Sequence, residues 1–188
     1  MRELFLIAGA NGSGKTTLAK ELLPEFGLEF VNADEIAGEL NPGDVDKVKI
    51  AAGKKFFMKI DDLVAQGKSF AIETTLSGQY LIRLIGELKE KGYLITLIYV
   101  FLDTPEIAID RIKTRVRKGG HFVPAQDVRR RFYRGKNNFW NIYKDLANYW
   151  EIYYNGNYGF VQVVTGEAGK LTIIDETLFG LFKGGLEE

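Results

Sequence analysis

Residues 9–16 read GANGSGKT, the pattern G-x-x-x-x-G-K-[ST], between an apolar run, LFLIAGA, and a segment, TTLAKELL, with apolar residues at helical spacing. A glycine turn between a strand and a helix gathers backbone N–H groups around phosphate oxygens, and the helix start adds a favourable dipole. Gly9, Ala10, Asn11, Gly12, Ser13, Gly14, Lys15, Thr16 and Thr17 are therefore expected to bind ATP. Lys15 would reach the terminal phosphates and the Thr16 hydroxyl would bind Mg2+. The loop does not say where the phosphoryl group goes, because motors, switches and kinases all use it.

Two acids bear on that question. Asp34, in FVNADEIA, follows the second expected strand, where an open parallel sheet brings its ligands together. A carboxylate there could take the proton of an acceptor hydroxyl or orient it as the phosphoryl group moves. It could also be a first-turn acid favoured by the helix dipole, with Asn32 as the N-cap and Glu35 as its capping-box partner. Capping accounts for Asn32 and Glu35 and leaves Asp34 over. Glu73 closes the apolar strand SFAIE and reads either as a contact to the acceptor or as a strand-end acid bonded to the next loop.

A third group is cationic. From Arg111 to Arg134 the basic residues are Arg111, Lys113, Arg115, Arg117, Lys118, Arg129, Arg130, Arg131 and Arg134, against one acid, Asp127. Arginines on a helix pair that closes as a lid would neutralise a transferring phosphate. Arg111 and Arg115, four apart, share a helical face and are the better pair; Arg117 points elsewhere on the helix and is expected, with Arg130, to contact ATP. Arg129, Arg130 and Arg131 fan around a helix, and Arg130 is the one expected to face the nucleotide. The alternative is a solvated basic surface. His121, beside two glycines, is either a loop hydrogen-bonder or a lid residue near phosphate or acceptor.

The elements that must position these groups alternate. Expected strands at LEFVNA, SFAIETT and the near-continuous YLITLIYVFLD are separated by helices at 49–67 and 78–92, each ending on glycine. Thr104 and Pro105 open another helix as N-cap and first helical residue. Residues 124–148 read as two helices with a break near Gly135, and the tail as one more strand followed by a short hairpin. The alternation predicts an α/β fold with a mainly parallel sheet flanked by helices, an Arg-rich helical lid and a C-terminal hairpin.

With 188 residues, 46% hydrophobic and 27% charged, one domain spanning 1–188 is expected. Twenty-five Lys plus Arg balance 25 Asp plus Glu, which argues against a nucleic-acid or membrane surface. No apolar run is long enough to span a membrane, and LFLIAGA has no signal-peptide flanks. Absence of cysteine and a single histidine exclude disulfides and His/Cys metal sites and suit the cytoplasm.

GANGSGKTT, FVNADEIA, FAIETTLSG, GGHFVP with VRRRF, and WEIYYN occur together, in this order, between about Leu4 and Asp175. This set resembles the zeta-toxin family of P-loop kinases, and most closely its short bacterial members described as predicted ABC-type ATPases. The resemblance implies a three-layer P-loop NTPase fold and phosphorylation of a sugar hydroxyl, in the family that of UDP-N-acetylglucosamine. It also implies an antitoxin partner, Asp34 as catalytic base, Glu73 and Thr74 at the acceptor, and lid arginines on the phosphates. RKGGHFVP departs from the lid of the well-known toxins, and long extra elements around the sugar pocket are missing. Two other readings stand beside this one. The first is an ATPase with Asp103 as the magnesium-side acid and LSGQY as a signature-like turn. The second is a nucleotide-binding regulator without turnover.

Overall fold

The computed structural model describes residues 1–186. Its centre is a seven-stranded sheet. The strands are β1 (Arg2–Gly9), β2 (Glu29–Val31), β3 (Phe70–Thr74), β4 (Tyr93–Phe101), β5 (Tyr149–Gly156), β6 (Gly159–Glu167) and β7 (Lys170–Ile173), in the spatial order β2-β3-β1-β4-β5-β6-β7. β1–β5 run parallel, β6 runs antiparallel to β5, and β7 antiparallel to β6. The parallel ladder and the C-terminal hairpin thus follow the sequence expectation, and the hairpin continues the main sheet edge.

Alternation of side chains divides the core. Leu4, Leu6 and Ala8 point to one face, with Ile72, Leu97 and Tyr99, under helices α2 (Ala33–Leu40), α3 (Lys49–Ala65) and α4 (Tyr80–Glu90). Phe5, Ile7, Ala71, Ile98 and Val100 point to the other, where α1 (Lys15–Phe26) covers them with Leu18, Ala19 and Leu23. β4 is buried on both faces, which is why it reads as a continuous apolar run. Gly67 stops α3 at φ 65° while Lys68 N–H donates back to Leu63 O at 3.0 Å, a Schellman closure.

Helix α5 (Pro105–Arg117) starts as expected, with Thr104 as N-cap and Pro105 in the first turn. The segment after it departs from expectation. α6 (Ala125–Asn138) does not break at Gly135; it passes through a π turn, Phe139–Tyr143, into the short α7 (Lys144–Leu146). The glycine serves a close approach instead, since a Cβ there would lie 2.3 Å from Thr75 O. A final helix, α8 (Glu176–Lys183), was not anticipated; its Phe182 packs among Tyr99, Phe101, Phe139 and Trp140.

α5 and α6 have a small core of their own, Ala108, Ile109, Ile112, Val123, Val128 and Phe132, which includes Ala10 of the glycine turn. The cationic helix pair is therefore packed directly onto the loop it was expected to cover. No helix among the described residues is long and apolar enough to cross a membrane.

Candidate active site

Parallel register aligns the carboxyl ends of the central strands: Ala8 pairs with Thr74 and Gly9 with Val100. The glycine turn, Asp34 and Glu73 are thereby delivered to one edge. Gly14 takes φ 97° as N-cap of α1 and offers no side chain to the first-turn amides, which leaves them to an outside acceptor. At Gly9, φ 142°, a Cβ would meet Val100 O at 2.2 Å. The Ser13 hydroxyl is fully buried in this turn without a hydrogen-bond partner. Free amides at a helix start, an orphaned hydroxyl and a backbone cradle that tolerates no Cβ fit a polyphosphate.

Lys15 is buried, its Nζ donating to Ala10 O at 2.9 Å and lying 3.5 Å from Glu73 Oε1. The Thr16 hydroxyl donates to Glu73 Oε2 at 2.6 Å. Asn32 Nδ2 donates to the same oxygen at 2.9 Å, while Asn32 Oδ1 caps α2 by accepting from the N–H of Asp34 at 2.8 Å and of Glu35 at 3.4 Å. Glu35 turns outward to Lys20, 3.4 Å away. Asn32 is thus the cap that the spacing predicts, and it also ties the start of α2 to Glu73. The side chain of Asp34 is exposed and makes no hydrogen bond or ion pair among the described residues.

Asp34 stands where three cavities meet. One, of about 470 Å³, is lined by Gly12, Gly14, Lys15, Thr16, Thr17, Glu73, Arg111, Arg115 and Asn155. A second, of about 500 Å³, lies between Pro42–Val45 and Gly119–Phe122, and so includes His121. The third, of about 300 Å³, holds Asn11, Thr74, Thr75, Ser77, Tyr80, Arg130 and Arg131. A larger cavity of about 950 Å³ opens at the amino end of the strands, beside Trp140 and Trp150, and has none of these groups in its wall. The candidate residues sit at the carboxyl edge.

The expected lid residues divide. Arg111 Nη2 donates to the carbonyls of Asn155 at 3.1 Å and Gly156 at 3.5 Å, and Arg115 Nη2 to His121 O at 2.8 Å; both line the loop cavity. Arg117 is exposed and lines none of the three cavities. Arg130 pairs with Asp127 at 2.8 Å, and its neighbour Arg131 reaches the glycine turn, donating to Asn11 Oδ1 at 3.1 Å. Three consecutive arginines carry no sequence signal for which one faces inward; the helix phase set by buried Val128 and Phe132 decides it.

Thr74 is buried and its hydroxyl accepts from Leu76 N–H at 3.1 Å. Leu76 adopts φ 51°, a left-handed conformation costly for a leucine, and Asn138 Nδ2 holds its carbonyl at 2.7 Å. The turn between β3 and α4 is therefore a constrained wall of the third cavity. Asp103 is engaged elsewhere, accepting from the Tyr154 hydroxyl at 2.9 Å.

A parallel sheet with a phosphate-type turn after its central strand, acids after the two strands on one side and arginine helices over the opening defines a P-loop kinase-like α/β protein. The chain belongs to the AAA domain family AAA_33, whose model matches residues 4–139. An uncharacterized protein of Haemophilus influenzae is 35% identical over 124 residues, 66% of this chain and 88% of that one. An adenylate kinase of Campylobacter curvus is 32% identical over 77 residues, 41% of this chain and 37% of that one. Among solved structures, that of AvrRxo1-ORF1:-ORF2 with ATP matches with TM-score 0.81 at 17% identity, over 100% of this chain and 65% of that chain. This protein therefore spans less than two thirds of the AvrRxo1 chain. The PezAT toxin-antitoxin structure of Streptococcus pneumoniae matches with TM-score 0.62 at 18% identity, over 98% of this chain and 86% of that chain. The likeness to both solved structures is one of fold.

Proposed function

We propose that the protein is an ATP-dependent small-molecule kinase of the zeta-toxin type, a single unit that moves the γ-phosphoryl group of ATP to a hydroxyl of a small acceptor, of which a UDP-N-acetylsugar is one candidate. The observation that carries this reading is the unpartnered carboxylate of Asp34, set where the glycine-turn cavity meets two further cavities. An acid with no structural bond of its own, placed between a phosphate cradle and a space for a second molecule, is suited to act as base.

The acceptor hydroxyl gives its proton to Asp34 as its oxygen bonds to the γ-phosphorus, and the bond to the ADP oxygen breaks. Backbone amides at Gly12–Thr16 and the Lys15 ammonium hold the phosphates, and Arg111 and Arg115 offset the charge that develops on them. Thr16 would hold Mg2+, with Glu73 behind its hydroxyl; the ion supplies charge neutralisation of the phosphates. Thr74, His121 and the hydroxyls around the third cavity are left to bind the acceptor. The zeta-toxin resemblance adds an antitoxin protein as partner, and the cysteine-free composition suits the cytoplasm. The ATPase reading is not favoured, because Asp103 is bonded to Tyr154 and stands outside the loop cavity.

The test is incubation with γ-labelled ATP, Mg2+ and a panel of UDP-sugars, nucleosides and metabolite extract. Label should pass to an acceptor with the wild type and not with Asp34→Asn, which should still bind ATP. Phosphate release that needs no acceptor and persists in Asp34→Asn would overturn the kinase reading in favour of an ATPase.

A further inference from the structure

We propose that Asn155, at the end of β5, is a positioning residue for phosphate binding: its side-chain amide holds the Ser13–Gly14 peptide so that the Gly14 N–H faces the nucleotide phosphates. This rests on the reading of Gly9–Thr16 as an ATP site and adds a residue from a distant strand to it.

Asn155 Nδ2 donates to Ser13 O at 2.8 Å. A trans peptide sends its C=O and the following N–H in opposite directions, and the described chain has no cis peptides. Drawing Ser13 O toward β5 therefore turns the Gly14 N–H away from β5, toward the opening of the turn. Ser13 has no second hold on that side, since its buried hydroxyl is unpartnered and its N–H is used by Ala10 O at 3.1 Å.

The approach is close. A Cβ on Gly14 would lie 2.3 Å from Asn155 Nδ2 and 3.3 Å from Phe160 Cζ, so the contact requires glycine in the turn. The donor is itself fixed: Asn155 is paired with Phe160 across the β5–β6 ladder, and its carbonyl accepts from Arg111. Asn155 also lines the loop cavity with Gly14, Lys15 and Arg111. A purely structural role, closing the hairpin, would account for the ladder and not for a side chain directed at Ser13.

The test uses the full chain as wild type, Asn155→Leu and Asn155→Ala, which remove the donor without adding charge to the cavity wall. Affinity is measured for Mg-ATP and for Mg-tripolyphosphate by competition against a fluorescent ATP analogue, with a melting curve for each variant. Loss of one hydrogen bond in the cradle should weaken both ligands by the same factor, roughly threefold to tenfold. Melting temperatures should fall little, and Asn155→Ala carries the test if Asn155→Leu folds poorly. Unchanged affinity overturns the proposal, as does weaker ATP binding with unchanged tripolyphosphate binding, which would put Asn155 on the nucleoside. A wild type that binds ATP and shows no acceptor-dependent transfer sinks the kinase reading and leaves this inference standing. Failure to bind either ligand overturns both.

Discussion

Glu73 accepts the Thr16 hydroxyl at 2.6 Å with one carboxylate oxygen, and its other oxygen lies 3.5 Å from Lys15 Nζ. The acid closing β3 thus touches the two side chains of the glycine turn assigned to metal and phosphate, as well as lining the acceptor-side cavity. Glu73→Gln keeps the shape and an acceptor for Thr16 but removes the charge. It should lower transfer by roughly tenfold to hundredfold, the scale of a charge-assisted hydrogen bond, and raise the Mg2+ needed for half-maximal rate. A magnesium titration of both proteins checks this; an unaltered half-maximal concentration would count against it.

Arg131 and Arg130 are neighbours with different work. Arg131→Ala removes the bond to Asn11 and a guanidinium from the cavity that holds Asp34, and is expected to slow transfer by roughly tenfold or more. Arg130 lines the same cavity, but it is exposed and bonded to Asp127 rather than to the glycine turn, in a pair worth about 1 kcal/mol at most, so Arg130→Ala should cost less. Steady-state kinetics of the two variants give the order directly; a reversed order refutes the assignment.

Lys136 is buried on α6 with its ammonium 4.9 Å from the Phe182 ring centroid, and burial pushes its pKa down to about 8. Below that pH the amine is protonated in both states and the fold bears the cost of burying charge. Above it the folded state has released a proton that the unfolded chain keeps, so stability from this group rises between about 8 and the ordinary lysine value. Lys136→Met should therefore melt a few degrees above wild type at pH 7, with the gap closing toward pH 10. Equal gaps at both pH values would reject this account.

Gly135→Ala should destabilise the fold by about 2 kcal/mol, because the new methyl would sit 2.3 Å from a backbone oxygen of the β3–α4 turn. Denaturant melts measure the loss. A neutral result would mean that Thr75 has room to move.

Gly135 also marks the limit of what the chain shows before folding. A glycine inside a helical pattern reads as a break, since nothing nearby in sequence reveals that Thr75 O, sixty residues earlier, lies against it. The glycine turn, Asn32 as cap and the strand ends were legible because each rests on spacing within a few residues. The partners of Glu73 and the inward turn of Arg131 were not, because they depend on β3 lying beside β1 and on the phase of α6. Asn155 ends the stretch WEIYYN, but its bond to Ser13 joins distant strands and has no local signature.

The unbroken path from Ala125 through the π turn to Leu146 makes the arginine helix one piece with the elements that cover the sheet. Its Arg131 end is thereby joined to the Phe139–Trp150–Phe182 aromatic cluster and, through Asn138 and Tyr143, to the carbonyls of Leu76 and Gly78. A hinge at Gly135 would have uncoupled these. The arginines of α6 therefore stand on a helix anchored in the aromatic core of the sheet, not on a segment with a hinge of its own.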